Sequence, residues 1–302
     1  MSLNWAITFR PFEYVYFLFT SAILHGLDFG MEIRRYHSAS EFLEVTAEFR
    51  ATELVRTNLI SSIAASVANG SRKYDAYYWW VIEDSGKTLG IASRTAPYGY
   101  VFSPMPKSVI LDLVSRIKKE DPEAREFAGP KAVIDQLVMN EQVMESESEL
   151  IYELKDFKPI NSLIIPRRAS MKDYELALDW IEEFIQETNS RSFNTKDIVR
   201  GNIDQGNYFI LEVNGEPVSL GGHVSQVEIL DKKIGRVGPI YTPKKFRKRG
   251  YASALTSFIS QLLIDQGSIA TLYTQADNPT SNKIYQNIGY VLIEEIRRVR
   301  LK

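Results

Sequence analysis

The chain has 302 residues, 44% hydrophobic and 25% charged, with a formal net charge of −2. Such a length and mix describe a globular protein with chain enough for two cores, and nothing in the near-neutral charge points to a nucleic-acid or membrane partner. Cysteine is absent, which excludes a disulfide framework, a thiolate nucleophile and cysteine metal sites; His25, His37 and His223 are too scattered for a histidine metal centre.

Residues 1–30 differ from the rest. The apolar run at 14–24 is too short to span a bilayer, which takes about 20 residues as a helix. As a signal peptide it has one basic residue, Arg10, is interrupted by Glu13 and lacks a clean small-x-small site. Three readings stay open: a signal or anchor, a segment packed on the domain, and an extension before a start at Met31.

From Met31 the pattern is regular. Glu32 to Tyr36 reads as a first strand, followed by helical spacing through Phe42, Val45, Phe49, Leu54, Leu59 and Ile63 that ends near Asn69-Gly70. Residues 79–93, W-W-V-I-E-D-S-G-K-T-L-G-I-A-S, lie over residues 208–222, Y-F-I-L-E-V-N-G-E-P-V-S-L-G-G, without a gap, and both contain a hairpin signal, Ser85-Gly86 and Asn214-Gly215. The second half opens in the same way, with a strand over Leu163 to Arg168 and a helix through Tyr174, Leu178, Ile181 and Ile185. A repeat of roughly 130 residues means a duplicated domain, because solenoid repeats run about 20 to 50. The expected domains are residues 31–158 and 161–302, linked by Asp156 to Asn161, with Tyr77, Tyr78, Trp79 and Trp80 in sheet core.

The copies part at their phosphate chemistry. After a strand over Tyr98 to Ser103, the first half reads S-P-M-P-K-S (103–108), whose prolines offer no amide donors. The second half has a strand over Ile234 to Thr242, closed by Pro243, then a turn holding Lys244, Lys245, Arg247, Lys248, Arg249 and Gly250. A helix follows through Ala252, Leu255, Phe258, Ile259 and Leu262, and stops at Asp265-Gln266-Gly267. Free amides at a helix start, with cations beside them, suit a phosphate or pyrophosphate; a solvated basic loop is the plainer alternative. Next come a strand over Ile269 to Gln275 and a short helix with Asn278 as cap, Pro279 in its first turn, Ser281 and Tyr285 one turn apart, and Gly289 just past its end. Its counterpart, K-A-V-I-D-Q-L-V (131–138), has no tyrosine.

R-K-R-G-Y-A (247–252) and N-P-T-S-N-K-I-Y (278–285), in this order and setting, resemble the GNAT superfamily of acyl-CoA-dependent N-acetyltransferases. The resemblance implies an α/β fold, two GNAT-like domains in tandem, each a mostly antiparallel mixed sheet flanked by helices, with the first copy degenerate and shaping the substrate cleft. It also implies a parallel strand pair, Ile234 to Thr242 beside Ile269 to Gln275, splayed to admit pantetheine. Acetyl-CoA is then the co-substrate and no metal is needed. Backbone groups of Ile240, Tyr241 and Thr242 would face the pantetheine. The amides of Arg247, Lys248, Arg249, Gly250, Tyr251 and Ala252 would hold the pyrophosphate, with Ser253 adding a hydroxyl and Lys244 and Lys245 screening the phosphates. Asn278 would contact the pantetheine, and Tyr285 would give a proton to the departing thiolate.

The family's strand glutamate has no match, since I-G-R-V-G-P-I-Y-T (234–242) carries no carboxylate. Glu228, His223, a carboxylate lent by the first domain and a water relay stay open as the base, and Gly221-Gly222 is expected to leave room for the acceptor. The expected activity is acetyl or short-acyl transfer to an amine, on an acceptor expected to be a small molecule, in the cytoplasm. An inactive acyl-CoA-binding protein is the alternative, and K-K-F-R-K-R (244–249) is the lone hint of nucleic acid.

Overall fold

The computed structural model describes residues 31–190 and 194–302, so the open reading of residues 1–30 lies outside the described residues. The first half gives β1 (Glu32–Tyr36), α1 (Ala39–Val45), α2 (Ala47–Thr52), α3 (Leu54–Ala68), β2 (Tyr77–Asp84), β3 (Lys87–Thr95), β4 (Tyr100–Phe102), α4 (Lys107–Glu120), β5 (Glu126–Pro130), α5 (Lys131–Leu137) and β6 (Val143–Leu154). The second half repeats the series with β7 (Arg167–Arg168), α6 (Tyr174–Glu187), α7 (Thr195–Asp204), β8 (Tyr208–Val213), β9 (Glu216–Ile229), β10 (Lys232–Tyr241), α8 (Tyr251–Asp265), β11 (Ser268–Gln275), α9 (Pro279–Ile288) and β12 (Tyr290–Leu301).

The expected hairpins form, and Ser85, Gly86, Asn214 and Gly215 all take positive φ, as a tight two-residue turn between twisted strands requires. The strand expected over Leu163 to Arg168 shrinks to Arg167–Arg168. Pro166 offers no amide to a ladder, and Leu163 and Ile165 stand exposed. Trp79 and Trp80 are fully buried on opposite faces of β2, while Tyr77 and Tyr78 are partly buried against the same two clusters.

Each half builds the mixed, mostly antiparallel sheet, and the two are fused into one of 12 strands, ordered β1-β2-β3-β4-β5-β12-β6-β11-β10-β9-β8-β7. The order reads the same from either end when each strand is exchanged for its counterpart in the other half. At the centre the last strands trade places: β12 lies between β5 and β6, and β6 lies between β11 and β12. Each half therefore completes its sheet with a strand of the other. One face is covered by α4 and α5 in the first half and α8 and α9 in the second, where Leu255, Ile259 and Leu263 of α8 bury one stripe against Tyr152, Phe209, Val237 and Leu272. On the other face, α6 and α7 cover β8 and the end of β10, and α3 crosses the boundary to pack Leu54 and Val55 against Ile151, Ile229, Ile234 and Ile296.

Candidate active site

β10 and β11 run parallel, joined by the α8 crossover such a pair needs. Their pairing ends at Val237 opposite Leu272, although β10 continues to Tyr241 and β11 to Gln275. The wedge opens where β10 has an irregularity against β9 between Val237 and Ile240. Here Pro239 has no amide to offer β11, and a Cβ built on Gly238 would meet nothing within 4 Å. Ile240 and Tyr241 stay paired to β9 through Gly221 and Leu220, so the strand is held from one side and open on the other.

Beyond the wedge, a single turn over Lys244–Phe246 leads into Arg247 to Gly250. Gly250 is the N-cap of α8 with φ 82°, no side chain caps the helix, and a Cβ there would face open space. The first bond of the helix runs from the Ala254 amide to the Gly250 carbonyl. Among the described residues, no acceptor meets the amides of Lys248 to Ser253, so six consecutive donors and the positive end of a 15-residue helix share one spot.

The side chains of the basic turn divide. Arg247 braces the loop: its Nε donates to the Thr242 carbonyl at 2.8 Å and its guanidinium pairs with Glu187 of α6 at 2.5 Å. Tyr251 packs, partly buried, with Phe246 against Leu211 and Val218. Lys244, Lys245, Lys248 and Arg249 are exposed, with Lys244 3.8 Å from Glu187 and Lys245 3.3 Å from Glu216. The Tyr241 ring turns away from the wedge to Trp180, and its hydroxyl donates to Glu183 at 2.5 Å; burial, then this carboxylate, holds its pKa well above the ordinary phenol value. The Tyr241 carbonyl accepts from Ser219, whose hydroxyl also meets that of Thr242 at 2.9 Å.

Across the wedge, Asn278 caps α9, its side-chain oxygen accepting from the Ser281 amide at 3.1 Å, which leaves its NH2 group to donate elsewhere. Tyr285 lies one turn beyond Ser281, its ring 6.4 Å from Tyr152 and 6.2 Å from Tyr290. Burial pushes its phenol up to about 12, with Ser281 as a smaller opposing influence, so it keeps its proton at neutral pH. Tyr152 belongs to β6, so the first half supports this tyrosine directly.

The wall opposite α8 and α9 is the C-terminal end of α6. Besides Glu183 and Glu187 on β10 and the basic turn, the Thr188 carbonyl accepts from Gln275 of β11 at 2.7 Å, and Asn189 donates to Glu147 of β6 at 2.7 Å. Glu183 and Glu187 escaped the sequence reading, although two acids one turn apart facing a basic turn were the available signal.

The open possibilities for a base narrow. Glu228 pairs with Lys233 at the far end of β10 from the wedge, exposed and joined at 3.5 Å. His223 sits opposite Val237 but is packed against Phe209, and burial, then Arg168, lowers its pKa. Nor do Gly221 and Gly222 leave room for an acceptor: a Cβ on Gly221 would lie 2.6 Å from Ile240 Cδ1, and one on Gly222 2.5 Å from Tyr208 Cδ1. Their smallness lets neighbouring side chains close in. Among the described residues no group of three or more acids and histidines could hold a metal, and no helix is long and apolar enough to cross a membrane.

A wedge between parallel strands, an uncapped glycine turn opening a helix and a tyrosine on the next helix thus follow one another within β10 to α9. Residues 225–299, which contain all three, match the family described as FR47-like protein. A GNAT-family acetyltransferase from Colwellia psychrerythraea superposes with a TM-score of 0.57 at 14% identity, over 90% of this chain and 100% of that one. The chain has the GNAT fold, in tandem. A tandem GNAT protein from the clavulanic acid biosynthesis pathway is similar over 90% of this chain and 98% of its own, with a TM-score of 0.56 at 7% identity. A Drosophila protein gives 0.61 at 13% identity, over 90% and 99% of the two chains. No curated protein matches the sequence.

Proposed function

We propose that this tandem GNAT chain is an acyl-CoA-dependent N-acyltransferase, with residues 161–302 as the transferase domain and residues 31–158 as a partner domain without a cofactor site of its own. The observation that carries this is the pairing of the β10–β11 wedge with the unmet amides of Lys248 to Ser253. The first is a slot for an extended pantetheine arm and the second a nest for its pyrophosphate. The residues fit the group: Gly238 and Gly250 leave open space, Lys248 and Arg249 add charge, and Asn278 has donors to spare. Bound there, acetyl-CoA supplies an activated acyl group.

The chain's own residues then orient and move protons. Backbone groups of Ile240, Tyr241 and Thr242 line the arm. Tyr285 holds its proton through neutral pH and gives it to the thiolate, which leaves more readily once its charge is quenched. Transfer is direct to the amine, with no cysteine to carry the acyl group. The acceptor enters between the end of α6 and the sheet, a confined wall that favours a small amine.

The test measures CoA release with acetyl-CoA and a panel of small amines, beside calorimetry of acetyl-CoA. Turnover with a defined amine supports the transferase. Tight binding at one site per chain without turnover across the panel would favour an inactive acyl-CoA-binding protein, the reading that the carboxylate-free β10 keeps in play.

A further inference from the structure

We infer that Glu149, carried into the second half's sheet by the exchanged strand β6, is the general base; this rests on the transferase reading above. In β6, Glu149 pairs with Gln275 and Ile151 with Tyr273 of β11, so Glu149 is one strand away from the open part of the wedge. Tyr273 is the first β11 residue past the last pair with β10, and with Glu149 it lines a cavity of about 20 Å³, room for one water, that runs under α3 from β11 across β6 and β12 to β4 and β5 of the first half. That cavity lies on the face opposite α8 and α9, because Ile151 packs with α3 while the next residue, Tyr152, packs with α8. The exchanged strand thus puts a carboxylate on the acceptor side and a ring under Tyr285 on the cofactor side.

Glu149 is fit for proton transfer. Among the described residues its one hydrogen-bond partner is Arg298 at 3.5 Å, a long bond that leaves carboxylate lone pairs uncommitted, and its side chain is 28% exposed. The charged and titratable groups around it are Arg298 of β12, Arg236 of β10, Tyr273 of β11 and Arg56 of α3. Arg56 is occupied by Glu53 and Glu294, and Tyr273 keeps its proton, its phenol pushed up to about 12 by burial. Cations therefore stand on several sides of the carboxylate without closing it off.

The step balances. An ammonium acceptor gives one proton to Glu149, directly or through a water, and its freed lone pair forms the C–N bond. The C–S bond breaks with its electron pair on sulfur, which takes the Tyr285 proton. The amide nitrogen sheds its second proton, which restores Tyr285, and Glu149 returns the first to solvent.

The experiment compares methylamine, an ammonium at neutral pH, with hydroxylamine, largely a free base there, as acceptors for saturating acetyl-CoA. Glu149→Gln should lower turnover of methylamine on the order of 10²-fold and leave hydroxylamine within a few-fold, with acetyl-CoA affinity and melting temperature unchanged. Glu149→Asp should recover part of the methylamine rate. Equal losses for both amines, or no loss for either, overturn the assignment of Glu149 while the transferase stands. Release of CoA to neither amine by the unaltered chain counts against the transferase, and the base falls with it.

Discussion

The two halves run through the same strands and helices, yet only one has a slot between its parallel pair. In the second half β10 outruns its pairing with β11 by four residues, from Gly238 to Tyr241. In the first half β4 is three residues long and pairs with β5 through Tyr100 and Val101. The next position is shut: a Cβ on Gly129 would lie 2.8 Å from Phe102 Cβ and 3.0 Å from its carbonyl. Beyond it the chain doubles back, the Ser103 amide reaching Ile91 and Met105 lying against Gly90, before α4 begins behind Pro106 where α8 begins behind Gly250. A ligand slot in this fold thus depends on a few residues past the end of a pairing, and backbone contact at one glycine is enough to remove it.

The closed copy is nevertheless required, because the exchange of β6 and β12 makes each half incomplete. The largest effect should come from breaking that exchange. A chain ending at residue 289 loses β12, and with it the partner of both β5 and β6; residues 161–302 alone lack β6, the partner of both β11 and β12. Both should fail to show a cooperative melt by calorimetry, since a central strand leaves two edges unpaired and strips Tyr152 or Val299 from the cores. A well-folded isolated second half would show the exchange to be dispensable.

Binding sharpens the contrast next. Calorimetry should give one acetyl-CoA site per chain, and Gly250→Asp, which sets a negative side chain beside the amides at a left-handed position, should weaken binding at least ~10²-fold. Two equivalent sites would mean that the closed β4–β5 pair opens for ligand. Tyr285→Phe tests the chemistry alone: ring and packing remain, so acetyl-CoA affinity should hold while turnover falls on the order of 10² to 10⁴-fold. An unchanged rate would make Tyr285 a packing residue and leave the fold as it is.

Much of this was legible in local patterns. The hairpins showed in Ser85-Gly86 and Asn214-Gly215, and the helix starts in Pro106, Gly250 and Asn278, because turn and cap chemistry acts within a few residues. What stayed hidden depends on distant partners. Nothing in Glu149 or Tyr152 reveals that their strand is inserted between β11 and β12, and the two glycines of β9 read as space when neighbouring side chains fill it. Leu163 to Arg168 has the composition of a strand, but Leu163 and Ile165 find no core to bury against and Pro166 has no amide for a ladder, so only Arg167 and Arg168 pair.

That shortened edge gives the smallest prediction. The first half ends in β1, five residues long and fully paired with β2, whereas β7 has two residues paired with β8. What fastens β7 is Arg167, forked between Asp173 at 2.9 and 2.7 Å and Glu212 at 3.0 and 2.6 Å. Its β1 counterpart is weaker: Arg34 and Glu32 pair at 2.6 Å with side chains 56% and 59% exposed, against 10% for Asp173. The Arg167 fork, then desolvation acting against it, sets the Asp173 pKa, with Ser170 helping to bring the carboxyl to about 2, below the ordinary value of 3.8. Between those values the unfolded chain holds more protons than the folded one, so this stabilisation is complete above pH 4 and fades as pH falls towards 2. Arg167→Met should therefore cost about 1–2 kcal/mol at pH 7, measured by urea unfolding, and less at pH 3. Arg34→Met should leave the urea midpoint nearly unmoved at either pH, as the loss of an exposed pair does. Equal losses at the two edges would mean that the fork does not make up for the missing strand length.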